Sequence, residues 1–115
     1  MLFWQQIFKM IIYNVTVKLD AMIATEWLEY MQEIHIPDVM NTGCFSSYRI
    51  SRLIENTTED DSPTYIIQYH CPSMEVFEKY EQNFATDLRE DVLKKYKDRF
   101  VSFRTLMEEI SNSEN

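Results

Sequence analysis

A chain of 115 residues with a 45% hydrophobic share has room for one core of the commonest domain size and none for a second domain. Seven Phe, seven Tyr and two Trp argue against a disordered chain, which lacks the bulky groups that close a core. The formal charge of −8 at pH 7 argues against nucleic acid and an anionic membrane surface, both of which need clustered Lys and Arg, while Arg49/Arg52 and Lys94/Lys95 leave a small anionic ligand open.

The opening Met1 to Lys9 is apolar but has no basic n-region, long apolar run or small-residue cleavage site. It is expected to be an extension outside the fold, residues 1–9, and a cytoplasmic home is expected with it; no stretch approaches the roughly 18 to 20 apolar residues that cross a bilayer. From Ile11 to Leu19 the alternation of Tyr13, Val15, Val17 and Leu19 against Asn14, Thr16 and Lys18 predicts a half-buried strand. Asp20 or Thr25 then caps a helix whose stripe is Ile23, Trp27, Tyr30, Met31 and Ile34, running to about His35. Pro37 stops that helix or opens a short second turn through Asp38 to Asn41, and Gly43, the only glycine, is the expected turn residue after it. One glycine cannot supply a phosphate-cradling loop or a dinucleotide fingerprint.

Cys44 to Ile54 and Thr64 to Cys71 have strand composition and enclose a polar, acidic stretch, so they predict a hairpin with a long solvated loop. Ser73 is the expected cap of a second helix bearing Phe77, Tyr80 and Phe84 on one face; Asp87 and Glu90 resemble a capping box that restarts it, and Leu88, Val92 and Tyr96 continue the stripe. Arg99 to Met107 alternates as a last strand, and residues 111–115 form a polar tail. Cys44 and Cys71 are too few for a disulfide framework and read as two reduced, buried thiols, although they flank the hairpin and could lie close together.

Strand, helix, strand, strand, helix, strand is the split βαβ order. It predicts an α+β, ferredoxin-like βαββαβ domain over residues 10–110: a four-stranded antiparallel sheet, the first and third strands central, with both helices on one face. The helix-free face is expected to mix Ile12, Leu53, Ile66, Phe100 and Leu106 with Asn14, Thr16, Arg49, Gln68, His70 and Arg104. A face that apolar is expected to be covered by a second copy of the chain, two sheets packing around a two-fold axis with the polar members lining a cavity between them.

The segments MIIYNVTVKLD, EWLEYMQEIHIPDVMNTGCFSSYRISRL, PTYIIQYHC and RFVSFRTLMEEI resemble the bacterial family of domain of unknown function 4286, within the dimeric α/β-barrel superfamily, over Met10 to Ile110. The resemblance implies a fold and a homodimer and no reaction. The wider superfamily includes cofactor-free monooxygenases, muconolactone isomerases, haem-degrading enzymes and EthD-like proteins beside members that only bind, and an activity carried across from them would rest on fold alone.

The residues able to carry chemistry are few. His35, at a helix end with Asp38 one turn on, is a candidate general base with an orienting carboxylate, or simply a C-terminal helix cap. Arg49, Arg52 and Arg104 lie on predicted strands, where a guanidinium in a cavity would hold a carboxylate, enolate or phosphate; otherwise they pair with the surplus of Asp and Glu. Asn14, Gln68, Tyr69 and His70, on the two central strands, are candidate ligand-orienting groups or an interface hydrogen-bond network. His35, His70, Asp38, Cys44 and Cys71 have no metal-ligand spacing, so neither a metal nor a cofactor is expected. The Trp27/Tyr30/Met31 and Phe77/Tyr80/Phe84 sets read as core. Two readings of function remain: a binding or structural module for a small molecule or protein partner, and a cofactor-free enzyme acting on a small aromatic or enolisable substrate with His35 as base and Arg49 or Arg104 as anion holder.

Overall fold

The computed structural model describes residues 9–54 and 61–113. Most of the expected extension, 1–9, and most of the acidic connection after Ile54 therefore lie outside the described residues. Four strands, β1 (Ile11–Leu19), β2 (Ser47–Arg52), β3 (Thr64–Cys71) and β4 (Phe100–Glu108), form one antiparallel sheet in the order β2-β3-β1-β4. Two helices pack on one face of it: α1, residues 21–40, and α2, residues 74–96. This is the ferredoxin-like arrangement that the element order predicts, with β1 and β3 central.

The alternation in β1 and β3 decides which face the helices take. Tyr13, Val17 and Leu19 of β1 and Tyr65, Ile67, Tyr69 and Cys71 of β3 are buried beneath the helices, while Ile12, Asn14 and Thr16 alternate with them onto the other face beside Ile66, Gln68 and His70. Asp20 caps the entry to α1 by accepting from the Met22 N–H at 2.9 Å, and its carboxylate also accepts from Arg99 Nε at 2.9 Å, tying the end of β1 to the start of β4. Ser73 caps α2, its hydroxyl accepting from the Val76 N–H at 3.2 Å. Gly43 turns the chain after α1 with φ +76°, a conformation that side chains disfavour. Cys44 and Cys71 are both buried free thiols.

The helices depart from expectation in one shared way. Each contains a wide π turn, Met31–His35 in α1 and Glu81–Ala85 in α2. A π turn inserts one residue into the hydrogen-bond ladder and advances every later side chain around the axis. In α1 the stripe leaves Ile34, which is 51% exposed, and moves to Ile36 and Val39, both buried. In α2 it leaves Phe84 and moves to Ala85, which is fully buried. The first bulge also explains why Pro37 does not end α1. The Ile36 N–H reaches back five residues to the Met31 carbonyl, loosening the ladder where the ring must fit, and the helix continues to Met40. Asp87 and Glu90 form no capping box, because Ala85 and Thr86 are already helical and α2 is not interrupted.

Two strand expectations are also corrected. β2 begins at Ser47, leaving Cys44 and Phe45 as buried residues ahead of it. In β4 the register pairs Leu19 with Phe100, Val15 with Arg104 and Tyr13 with Leu106, which puts Phe100, Arg104 and Leu106 on the helix side; Val101, Phe103, Thr105 and Met107 occupy the helix-free face instead. With a side-chain period of two, opposite faces differ by a single residue of register.

Candidate active site

β4 is an edge strand, and the helices close over β1 and β3 without covering it. The gap that results is a half-open cavity of about 740 Å³ between sheet and helices. Its floor includes Tyr13, Val15, Val17, Ile67 and Tyr69; α1 contributes Trp27, Met31, His35 and Val39; α2 contributes Phe77, Tyr80, Glu81, Arg89 and Val92; β4 forms the mouth with Ser102, Arg104 and Leu106. The lining is mostly aromatic and aliphatic with a few polar groups, the usual make-up of a small-molecule site.

Both π turns deliver a polar residue to this space. His35 closes the first and Glu81 opens the second, and both line the cavity. Burial holds the His35 imidazole below its ordinary value of 6.5, opposed by the carboxylates of Asp38 and Asp91. It is therefore neutral at pH 7, with a ring nitrogen able to accept a proton. Its ring stacks on Tyr30 with centroids 6.3 Å apart.

Across the cavity Glu81 is ion-paired with Arg89, whose Nη2 also donates to the Tyr13 hydroxyl at 3.2 Å. Burial works against the Arg89 charge, but the hydrogen bonds to Glu81 and Tyr13 outweigh it and raise the guanidinium above its ordinary value. Arg89 Nε and Trp27 Nε1 are buried with no hydrogen-bond partner among the described residues.

The candidates named from sequence divide between the two faces. His35 and Arg104 share the cavity. Arg49 does not: it lies on β2, paired with Gln68, on the helix-free face and three strands from β4, about 14 Å at ordinary strand spacing. Asn14, Gln68 and His70 share that face with it, Asn14 opposite Gln68 and Ser47 opposite His70. Asn14 Nδ2 donates to Thr16 Oγ1 at 3.3 Å, and His70 Nδ1 is buried without a partner among the described residues. Arg52 pairs with Tyr65 on the helix side but is exposed at the far end of β2, outside the cavity. Tyr13, Tyr80, Glu81 and Arg89 had no place among the site residues expected from sequence. The spacing from Glu81 to Arg89, two turns along one helix, was the one available signal for that pair. No three His, Cys, Asp or Glu residues gather into a metal-binding group among the described residues.

The family model for domain of unknown function 4286 (DUF4286) matches residues 10–110. The chain belongs to the DUF4286 family. No curated protein matches it. Among solved structures, this DUF4286 chain is similar to an EthD-like protein from Ralstonia eutropha, with TM-score 0.66 at 17% identity, covering 90% of this chain and 94% of that one. It is also similar to SnoaB, a cofactor-independent oxygenase from Streptomyces nogalater, with TM-score 0.64 at 8% identity, covering 92% and 98%. A third likeness is to a dimeric ferredoxin-like protein from an uncultured marine organism, with TM-score 0.61 at 9% identity, covering 90% and 98%. At such identities the likeness establishes the ferredoxin-like fold of the DUF4286 chain and nothing about its chemistry.

Proposed function

We propose that this protein is a bacterial, cytoplasmic homodimer that binds a small, largely apolar ring compound between its helices and its sheet. The cavity of about 740 Å³, walled by aromatic rings with a few polar groups at its ends, carries the reading. The dimer forms through the helix-free face, where Val101 and Phe103 are 71% and 62% exposed, and the likeness to a marine protein described as dimeric supports that arrangement. A cytoplasmic location suits two buried thiols with no disulfide-framework spacing. Among the described residues no helix is long and apolar enough to cross a membrane.

The test is fluorescence titration with 1-anilinonaphthalene-8-sulfonate. Saturable binding is expected in the native protein, and Leu93→Trp, which adds bulk to the cavity lining, is expected to weaken it without lowering the melting temperature. Binding unchanged by that substitution places the dye elsewhere and ends the reading.

A second reading is favoured by one observation, a neutral His35 and the Arg104 guanidinium on a single cavity. In it the imidazole takes a proton from an acidic C–H or O–H of the substrate, Arg104 holds the resulting anion, and the same proton returns to a second carbon to complete an isomerisation. Mass-spectrometric screening of metabolites would detect turnover, and His35→Ala should abolish it while leaving the fold intact. Turnover that survives His35→Ala removes His35 from the role.

A further inference from the structure

Three tyrosines, Tyr13, Tyr69 and Tyr80, stand together in the cavity wall at 5%, 2% and 3% exposure. Tyr13 and Tyr69 are direct partners on neighbouring strands, their rings stacked at 5.9 Å, and Tyr80 comes down from α2 to 6.0 Å from Tyr13. Phe45 and Phe77 pack among them, Phe45 at 4.8 Å from Tyr80 and Phe77 at 5.1 Å from Tyr13, so the rings are held by contacts on several sides. The hydroxyls are not satisfied in the same way. Tyr13 accepts from Arg89, which leaves its own O–H proton unused, and neither Tyr69 nor Tyr80 has a hydrogen-bond partner among the described residues. Neither the Tyr69 nor the Tyr80 oxygen is sealed from solvent, so water or a bound ligand can reach and pair with both, as polar groups at a buried site require.

We infer that the hydroxyls of Tyr13, Tyr69 and Tyr80 form an oxygen-recognising end of the cavity, and that the ring compound bound there carries a carbonyl oxygen which accepts from them. The inference rests on the cavity being a ligand site. The electrostatics favour a carbonyl over a carboxylate. Arg89, the cation beside Tyr13, is already neutralised by Glu81, so this end offers donors without net positive charge. Burial first, and then the neighbouring tyrosines, hold the Tyr69 and Tyr80 hydroxyls well above the ordinary phenol range of 10.0, and they remain protonated donors at any physiological pH. Arg89, anchored through Glu81, positions the Tyr13 oxygen.

The experiment compares two probes of nearly one shape, 2-acetylnaphthalene and 2-ethylnaphthalene, which differ at the carbonyl oxygen. Isothermal titration of the full chain is expected to find the ketone binding about tenfold more tightly or better, since a site built around donors rejects a ligand that leaves them unpaired. Tyr80→Phe and Tyr69→Phe, each losing one oxygen and no packing volume, should shrink that preference several-fold and leave the affinity for 2-ethylnaphthalene unchanged. Equal binding of the two probes overturns the inference and leaves the cavity reading standing. If neither probe binds, the cavity reading falls and the inference falls with it. The wild-type comparison decides between these outcomes even if a tyrosine variant fails to fold.

Discussion

The two faces of one sheet meet different physical problems. On the helix side, β1 and β3 send down Tyr13, Val17, Leu19, Tyr65, Ile67 and Tyr69, all buried by two helices, and the space those helices leave beside β4 becomes a cavity. On the other side Asn14, Gln68 and Arg49 lie in one row across three strands, flanked by Ile12, Ile66, Phe103 and Met107, and no element among the described residues covers them. A face that is fully packed can hold a ligand in a fixed place; a face that is uncovered and partly apolar fits a second copy.

The sharpest way to break this contrast is on the packed side. Trp27 is fully buried, and Trp27→Ala should cost about 3 to 5 kcal/mol, measured by urea unfolding. A loss under about 1 kcal/mol would mean that Trp27 does not anchor α1 to the sheet.

On the uncovered side, Phe103→Asp should leave unfolding of the single chain nearly unchanged but weaken self-association about thirtyfold or more, as expected when an aromatic anchor is replaced by a charge. Sedimentation equilibrium reads this directly. An unchanged dimer would move the interface elsewhere, and a monomeric wild type would remove it.

The two arginines sharpen the contrast further. Arg104→Ala should weaken an anionic probe such as 1-anilinonaphthalene-8-sulfonate by about tenfold, the loss of one charge-assisted contact, whereas Arg49→Ala should not. Equal losses in a titration of both variants would erase the distinction between the faces.

The smallest effect is the pH dependence set by His35. Its value in the folded chain is depressed by burial below the 6.5 of the unfolded chain, so on acidification the unfolded state binds the proton first. This contribution to stability is therefore complete above about pH 6.5, declines as pH falls toward the folded value, and levels off below it. His35→Gln should remove that step from a plot of melting temperature against pH. A step that survives the substitution belongs to another group.

The legible part of the fold was the part governed by local pattern. β1 and β3 are central strands with clean alternation, and their limits, Ile11–Leu19 and Thr64–Cys71, follow from sequence. The Ser73 cap and the Gly43 turn were equally readable, and Asp20 was one of two caps the sequence offered, because each depends on the chemistry of one side chain and its nearest backbone. Edge strands were less so. β4 is exposed along most of its length, and with apolar residues on both faces only its pairing with β1 reveals that Arg104 points toward the helices and Phe103 away.

Of the site, the sequence alone singled out His35 and Arg104 as residues able to do chemistry, and it determined the element order that brings a sheet and two helices together. Only the tertiary structure decided that these two residues share a space and that Arg49, Asn14, Gln68 and His70 lie on the opposite face. It alone gathered Tyr13, Tyr69, Tyr80 and Arg89 from two strands and a helix; of these the sequence named only Tyr69 as a ligand-orienting group, while the helical spacing of Tyr80 reads as core. The physical reason lies in the π turns and the β4 register. A one-residue insertion in a helical ladder, or a one-residue slip between strands, leaves composition and approximate periodicity intact, yet turns every following side chain to a new direction.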